Sequence, residues 1–375
     1  MNKLIEYFKK ETVLCIALFL AVLSSFFVTP DKKYIDYVDF RTLAILFCLM
    51  AVVAGFLGQG VFDIAARKLI NRVGSLRAVS FVLVFMCFIF SMLITNDVAL
   101  ITFVPMTITL LSMAGEELLK RWMIPIIVMQ TIAANLGSML TPIGNPQNLY
   151  LYGLSEMNVV EFIGLMLPYT ALSMLLIVVT LLVIFGEKNV ALDARLGMQE
   201  TEINRPLVCM YGALFVICIL TVARIIPCPV TLAIVLALLI IFDRSILSKV
   251  DYALLATFVG FFIFIGNMGR ISWFSDFVTE VLSGNEVIVS AVSSQVMSNV
   301  PAAVLLSEFT DCYKDLIVGT NIGGLGTLIA SMASLISFKY VARYDKKARG
   351  RYFLYFTLMN FFFLTVLLIM HFTLL

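Results

Sequence analysis

The sequence predicts an all-α polytopic membrane protein with two inverted repeats, re-entrant hairpins and interrupted transmembrane helices. Three observations predict this fold class. Apolar runs recur along the whole chain, each close to the roughly 20 residues that cross about 30 Å of hydrocarbon. Short polar stretches interrupt several of these runs, and similar segments recur in the same order in both halves. Only 13% of the 375 residues are charged and the mean hydropathy is +1.03, which leaves no room for a soluble domain.

Nine crossings follow from the apolar runs, and two of them are interrupted by polar or glycine-rich stretches. The predicted crossings are Thr12–Thr29, Thr42–Gly60, the interrupted Trp122–Leu154, Phe162–Phe185, Pro206–Ala223, Ile225–Phe242, Tyr252–Asn267, the interrupted Leu316–Phe338 and Tyr352–Phe372. The first run ends in TPDKK without a small-residue cleavage site. We therefore interpret it as a retained helix and not as a signal peptide.

Two further apolar pieces, Val79–Met113 and Val287–Phe309, are broken midway by the sequences TND and SNVP. Each half of either piece is predicted to be too short to span a bilayer. We therefore interpret each piece as a re-entrant hairpin, whose two ends lie on the same side of the membrane.

Basic residues set the predicted orientation. They cluster at 63–77, at 339–351 and in the central linker 186–205. Cytoplasmic loops carry an excess of Lys and Arg, so a cytoplasmic N-terminus places all three clusters inside. With nine crossings, the C-terminus then lies outside. The sequence thus predicts a multi-pass protein of the cytoplasmic (inner) membrane.

Internal similarity predicts a repeat. VDFRTLAILF (38–47) aligns without gaps with VDYALLATFV (250–259), and NLGSMLTPIGNPQNL (135–149) aligns with NIGGLGTLIASMASL (321–335). The predicted orientation sends the two units into the membrane in opposite directions, which makes them inverted repeats.

The predicted division of the chain follows from this alignment. The first repeat spans 1–185, a cytoplasmic linker and connecting helix span 186–224, and the second repeat spans 225–375. The first repeat contains the hairpin 79–113 and the broken helix 122–154, and the second contains the hairpin 287–309 and the broken helix 316–338.

Irregular backbone within a crossing needs a physical reason, because an unpaired N–H or C=O group costs several kcal/mol in hydrocarbon. Half-helix N-termini attract anions, while unwound carbonyls and helix C-termini hold Na⁺. The breaks at Thr141–Asn148 and Gly323–Thr327 face the hairpin tips at Thr95–Asp97 and Ser298–Val300 in the predicted fold. These four segments are therefore predicted to form a solute-binding site.

The segments TNDVALITFVP, LTPIGNPQNL and SNVPAAVLL resemble the ion transporter superfamily. This superfamily includes arsenite/antimonite efflux permeases, citrate-type carriers and divalent anion:sodium symporters. The resemblance implies a scaffold and a transport domain, a homodimer and elevator-like movement. In the symporters, Ser-Asn-Thr triplets hold substrate, and each tip with its facing break holds a sodium ion. Here Asp97 and Val300 stand where the third member of each triplet is threonine.

The resemblance implies an ion-coupled secondary active transporter, with Na⁺ or H⁺ as the coupling ion and no other cofactor. The expected solute is a small anion or oxyacid, such as a carboxylate or oxyanion. An arsenite/antimonite-type efflux permease and a Na⁺/H⁺ antiporter are the alternatives. Substrate contacts are expected at Asn96, Asp97, Thr141, Asn145, Asn148 and Asn299. Ion contacts, with Na⁺ as the candidate ion, are expected at Thr95, Asn96, Asp97, Gly144, Ser298, Asn299, Gly324 and Thr327.

Asp97 supports two interpretations. A carboxylate at membrane depth is costly and indicates a functional role such as ion coupling, but aspartate is also favoured at a helix N-terminus.

Other classes of protein are not indicated. The single histidine, His371, ends the last crossing, so a Ser–His or paired-Asp arrangement for an enzyme is not predicted. The cysteines form no CxxC pair, so no transition-metal site is expected. The basic residues form no face for nucleic acid, which leaves the lipid bilayer and the solute as the expected partners.

Overall fold

The computed structural model describes residues 11–186 and 203–374. These residues form helices and turns and contain no strand, which confirms the predicted all-α class. The predicted linker 186–224 falls partly on residues 187–202, which lie outside the described residues, as do residues 1–10.

Seven helices in the described part of the chain are long and apolar enough to cross a membrane. They are Phe40–Gly58, Leu76–Ile94, Asn96–Ala114, Val159–Phe185, Arg205–Val222, Tyr252–Gly269 and the segment Lys346–Thr373, which includes the helix Arg349–Leu374. The chain is therefore a multi-pass membrane protein. The predicted crossings near residues 12 and 225 form shorter apolar helices, Thr12–Ser25 and Cys228–Phe242.

The chain divides into two compact units, each of which draws on both halves of the sequence. The first unit consists of the described residues within Met1–Gln59, Ile203–Val289 and Ala303–Leu316. The second unit consists of those within Gly60–Glu202, Ser290–Ala302 and Ile317–Leu375.

Long apolar helices dominate the first unit. Its elements are Thr12–Ser25, Lys33–Asp36, Phe40–Gly58, Arg205–Val222, Cys228–Phe242, the 3-10 helix Arg244–Lys249, Tyr252–Gly269 and Ser272–Leu282. The VDF and VDY motifs begin two of these helices. Asp39 accepts a hydrogen bond from the Thr42 N–H, and Asp251 accepts one from the Leu254 N–H, both at 3.0 Å. The aspartate shared by the two aligned segments is thus a helix N-cap in each.

The second unit is built around one deeply buried helix. Its elements are Val61–Ile70, Leu76–Ile94, Asn96–Ala114, Glu116–Ser138, Pro146–Leu154, Val159–Phe185, Met332–Tyr344, the 3-10 helix Lys346–Ala348 and Arg349–Leu374. Every residue of Glu116–Ser138 from Ile126 onward is buried. The helices on either side of Thr95 pack against each other and against Glu116–Ser138, and Val159–Phe185, Met332–Tyr344 and Arg349–Leu374 also contact this helix.

The two hairpins differ in length. Hairpin one has two arms of 19 residues each, Leu76–Ile94 and Asn96–Ala114. The prediction that its halves are too short to span was wrong, because helix continues beyond the apolar run at both ends and only Thr95 separates the arms. Hairpin two has short arms, Glu286–Met297 and Asn299–Leu306, of 12 and 8 residues.

Two breaks interrupt the helices that follow the hairpins, but their bounds differ from the predicted Thr141–Asn148 and Gly323–Thr327, because helix resumes at Pro146 and at Met332. Break one, residues 139–145, separates Glu116–Ser138 from Pro146–Leu154. Break two, residues 323–331, separates Tyr313–Ile322 from Met332–Tyr344. Two amphipathic helices, Val61–Ile70 and Ser272–Leu282, were not predicted. The basic residues of the first were interpreted only as a cluster that sets orientation. In the order of the sequence, each follows a long helix and precedes a hairpin.

Candidate functional site

The two hairpin tips and both breaks lie in the second unit. The predicted site residues are all part of this unit. Two clusters of buried amide and hydroxyl side chains join these segments, and each cluster is centred on one asparagine of the helix that precedes a break.

Strained backbone marks both hairpin tips. Thr95 has φ 72° and ψ 152°, and Ser298 has φ 77°. A positive φ is unfavourable for a β-branched residue such as threonine. Conformations of this kind cost about 1–3 kcal/mol each and persist where the surrounding structure holds them, often at functional sites.

The first cluster, called here the Asn135 cluster, is centred on the Asn135 side chain. Asn135 Oδ1 accepts hydrogen bonds from Asn96 Nδ2 at 2.9 Å and from the Ser331 hydroxyl at 3.0 Å. Asn135 Nδ2 donates longer hydrogen bonds to the Gly324 carbonyl and the Ser334 hydroxyl, at 3.4 and 3.5 Å. Hairpin one is thereby connected to the helix that precedes break one and to break two.

The second cluster, called here the Asn321 cluster, is centred on the Asn321 side chain. Asn321 Nδ2 donates to Asn148 Oδ1 at 2.6 Å, and Asn321 Oδ1 accepts from Asn145 Nδ2 at 3.3 Å. Asn148 Nδ2 donates to the carbonyls of Ser138 and Thr141 at 3.4 and 3.3 Å. Asn148 Nδ2 thus holds the backbone around break one, while its Oδ1 binds Asn321.

The two clusters use the same positions of the two aligned segments. Asn135 aligns with Asn321, and its partners Ser331 and Ser334 align with Asn145 and Asn148. Each central asparagine therefore bonds to the last residue of the break of the other segment and to a residue in the helix that follows it. This reciprocal pairing is what an approximate two-fold axis between the segments would produce.

The direction of each amide in the Asn321 cluster follows from its neighbours. The Ile317 carbonyl can only accept, so Asn321 turns Nδ2 toward it, at 2.7 Å. Asn321 Oδ1 then faces Asn145, which must donate with its own Nδ2. Asn145 is 3% exposed, and its Oδ1 atom has no hydrogen-bond partner among the described residues. A buried acceptor without a donor costs free energy and suits a cation or a donor group of a ligand.

A buried donor without a partner lies two residues further on. Gln147 is 1% exposed, and its Nε2 has no hydrogen-bond partner in the described part of the chain. Break one therefore leaves both an acceptor and a donor unsatisfied within three residues.

Threonines hold the breaks against the hairpins in matching ways. The Thr141 hydroxyl donates to the Met92 carbonyl, and the Thr327 hydroxyl donates to the Gln295 carbonyl at 3.0 Å. The Thr327 N–H also donates to Gln295 Oε1 at 2.8 Å. Both threonines were predicted as ligands, and in this structure both brace backbone.

The remaining tip residues fit closely against break two. The Asn299 N–H donates to the Ala330 carbonyl at 2.9 Å, and the buried Ser298 hydroxyl lies 3.5 Å from the same carbonyl. A Cβ on Gly324 would lie 3.0 Å from Asn299 Nδ2, so glycine gives the amide its room. Gly144 has the same role in break one, where a Cβ would collide with the Ser138 carbonyl.

Three helices begin at these clusters without a hydrogen bond from the N-cap side chain. Their N-cap residues are Thr95, Asn145 and Ser331. Asp97 lies in the first turn after Thr95 and is half-buried, and its N–H donates to Asn96 Oδ1 at 2.9 Å. Helix N-termini carry partial positive charge and bind anions. The arrangement can therefore attract negative charge, which includes that of Asp97.

Sequence reasoning missed four members of the two clusters and two glutamines beside the breaks: Asn135, Asn321, Ser331, Ser334, Gln147 and Gln295. The alignment of the two segments paired Asn135 with Asn321, and this was the available signal for the two cluster centres. Gln295 is a polar residue in an apolar arm, which is a weaker signal.

One group with metal-ligand chemistry occurs in the first unit. The ligand atoms of Glu286, Cys312 and Asp315 lie within 4.8 Å of one another, a proximity that their spacing in the sequence did not predict. Exposed groups of this kind are common without an ion, and Cys312 is exposed.

Comparisons with known proteins agree on the kind of molecule. A family model described as citrate transporter (CitMHS) matches residues 4–310, which include both hairpin tips and break one. Inner membrane protein YbiR of Escherichia coli is 31% identical over 335 residues, or 88% of this chain and 87% of the relative. Uncharacterized transporter MJ0456 of Methanocaldococcus jannaschii is 32% identical over 309 residues, or 80% of this chain and 81% of the relative. The P protein of Mus musculus is 32% identical over 144 residues, which cover 37% of this chain and 17% of that protein.

Proposed function

This chain belongs to the CitMHS citrate transporter family, and from that premise we propose that it is an ion-coupled secondary active transporter of a small anion. The solute is a carboxylate or an oxyanion, and the coupling ion is Na⁺ or H⁺. The protein resides in the inner membrane as a homodimer, with its N-terminus in the cytoplasm and its C-terminus outside.

The unsatisfied Asn145 Oδ1 atom is the observation that carries the proposal. It lies at a helix break, 3% exposed, in a cluster that fixes its direction. A break of this kind is stable at membrane depth only if protein or ligand satisfies its polar groups. The protein satisfies Asn148 completely and leaves Asn145 for the solute or the coupling ion.

Anion binding is supported by the helix N-termini beside the two clusters. The helices that begin after Thr95, Asn145 and Ser331 lack a side-chain cap from these residues. Their N–H groups and the Gln147 Nε2 donor can bind carboxylate or oxyanion oxygens.

Alternating access by an elevator-type movement is supported by the reciprocal pairing of the two clusters. Inverted repeats that share one central site provide two equivalent ways to expose it, one to each side of the membrane. The second unit carries the whole candidate site and is the transport domain in this proposal.

Asp97 favours a second candidate function. A half-buried carboxylate beside a predicted ion site can exchange a proton for a sodium ion, as a Na⁺/H⁺ antiporter requires. An anionic Asp97 also opposes a multiply charged solute unless a cation binds beside it.

Ligand-dependent thermal unfolding of the purified full-length protein tests the proposal. A ligand that binds the folded state raises its apparent stability by mass action. Citrate, succinate, phosphate and arsenite would each be added in NaCl and in choline chloride of equal ionic strength. We expect at least one of these solutes to raise the unfolding temperature. The same solute should be taken up saturably by liposomes that contain the protein when a Na⁺ or pH gradient is imposed.

The same measurement separates the candidate functions. Stabilisation by Na⁺ alone, with Na⁺ uptake driven by a pH gradient and no response to any anion, supports the antiporter. No response to any anion, to Na⁺ or to pH contradicts both.

A further inference from the structure

The two breaks differ in what satisfies their backbone. Gln295 lies one turn before the tip of hairpin two, and its Nε2 donates to the carbonyls of Gly323 and Leu325 at 2.8 and 2.9 Å. Its Oε1 accepts from the Thr327 N–H at 2.8 Å. One side chain therefore pairs with three backbone groups of break two. Nε2 also lies 3.1 Å from the Ala291 carbonyl of its own helix.

Methionine occupies the matching position of hairpin one. The alignment of Thr95-Asn96 with Ser298-Asn299 pairs Met92 with Gln295. The main chain at both positions makes the same contact, since each carbonyl accepts a threonine hydroxyl from its break. A thioether has no N–H, so Met92 cannot donate to the carbonyls of break one as Gln295 does in break two. The amide of Asn148 does donate at break one, but to the carbonyls of Ser138 and Thr141, which do not align with those of Gly323 and Leu325.

The backbone of break two is shaped around the glutamine. Gly326 has φ +105°, and a Cβ there would collide with the Gln295 amide. The aligned position of break one is Leu140, which has a side chain. Break two therefore accommodates the glutamine through a residue that break one does not share.

Converging carbonyls of an unwound membrane helix are ligands for a cation such as Na⁺. The NH₂ group of an amide side chain presents partially positive hydrogens to the same oxygens. Unlike an ion, it is part of the protein and cannot dissociate. We propose that Gln295 is a built-in substitute for a coupling cation at break two, so that the transporter binds a coupling cation only at break one. The inference depends on the proposed function, because it assumes that cations bind at such breaks.

The test is the dependence of thermal stability on Na⁺, measured on the full-length protein with choline chloride as the ionic-strength control. The variant Gln295→Met copies hairpin one and removes the donor to Gly323 and Leu325. We expect its unfolding temperature in choline chloride to fall. We also expect its unfolding temperature to rise with the logarithm of Na⁺ concentration about twice as steeply as that of the wild type. The reason is that this slope grows with the number of bound ions.

The reciprocal variant Met92→Gln is the matched control. It places an amide beside break one. We expect the slope of its unfolding temperature against the logarithm of Na⁺ concentration to fall toward zero. A Gln295→Met slope no steeper than that of the wild type overturns the inference. Where the wild type does respond to Na⁺, a Met92→Gln slope equal to the wild-type slope also overturns it. If Gln295→Met does not fold, Met92→Gln decides alone.

Failure of the proposed function would look different. If the wild type shows no sodium response and Gln295→Met gains one, sodium coupling is wrong for the native protein and the role of Gln295 stands. If none of the three proteins responds to Na⁺, the inference is overturned.

Discussion

The Asn135 and Asn321 clusters occupy matching positions, yet they differ in how their side-chain oxygens are satisfied. The Asn321 cluster contains an amide oxygen without a hydrogen-bond donor among the described residues. Asn135 Oδ1 accepts from both Asn96 and Ser331. At the position that matches Ser331, the Asn321 cluster has Asn145, whose Oδ1 has no partner among the described residues. The difference lies in the side chains. A hydroxyl rotates to donate where it is needed, whereas an amide that must donate with Nδ2 keeps its oxygen on the other side.

This difference assigns separate tasks to the two clusters. The Asn135 cluster connects hairpin one to the helix before break one and to break two, and has the properties of a structural joint. The Asn321 cluster is held by Asn148 and Ile317 and presents one unsatisfied oxygen. Under the proposed function, ligand binding is concentrated at break one, and two matched pairs of changes test this asymmetry.

The largest expected effect is on stability, in Asn321→Leu. The change leaves Asn148 Oδ1 and Asn145 Nδ2 buried without partners. Each stranded group costs about 1–3 kcal/mol, so the free energy of unfolding should fall by about 2–6 kcal/mol. Thermal unfolding in detergent, with folded yield by gel filtration, measures the loss.

The matched change Asn135→Leu should cost less. It strands Asn96 Nδ2, while the Ser331 hydroxyl can turn to another acceptor, so a loss of about 1–3 kcal/mol is expected. If Asn135→Leu proves at least as damaging as Asn321→Leu, the assignment of amide directions in the two clusters is wrong.

The next expected effect is smaller and concerns transport more than stability. It is expected for Asn145→Leu. This change leaves Asn321 Oδ1 without its 3.3 Å hydrogen bond, but it also removes the Asn145 oxygen that is already unsatisfied. These two effects oppose each other, so the free energy of unfolding should change by under about 1 kcal/mol. Uptake into liposomes should fall about tenfold or more, equivalent to about 1.4 kcal/mol.

Ser331→Ala is the position-matched control for Asn145→Leu. It removes a donor from Asn135 Oδ1, so it should lower stability by about 1 kcal/mol and preserve most of the uptake. Equal losses of uptake in the two variants would show that the clusters do not have separate tasks.

The smallest expected effect concerns the feature that the two hairpins share. Thr95→Gly and Ser298→Gly each permit the positive φ at a tip without steric strain. We expect each to raise the free energy of unfolding by about 1 kcal/mol, after the entropy of a more flexible unfolded chain is subtracted. The gain should be larger at Thr95, because threonine is β-branched. A loss of stability at both tips would show that the side chains contribute more than the strain costs.

Much of this fold could be predicted from sequence because its signals are local. Apolar runs predicted the long helices, and proline, glycine and amides between Ser138 and Pro146 predicted break one. The shared VDF and VDY motifs are N-caps at Asp39 and Asp251, so even this repeat signal has a local cause. The arms of hairpin one were predicted to be too short because only the apolar run was counted. The helices extend past that run at both ends.

The candidate site was only partly predictable. The residue types at the tips and breaks were identified, and the structure brings them into one unit. The roles of Asn148 and Thr327 could not be anticipated, because their partners are a distant asparagine and a distant glutamine. Gln295 was missed because its importance depends on carbonyls that approach it only after folding.

The sequence by itself determined the all-α membrane class, the hairpin tips and the breaks, since hydropathy and helix-breaking residues act over a few neighbours. Only the tertiary structure decided that Asn135 and Asn321 exchange partners across the two breaks, and that Asn145 keeps an unsatisfied oxygen. The physical reason is that an amide's direction is set by the donors and acceptors around it. In these clusters, those groups lie far away along the chain.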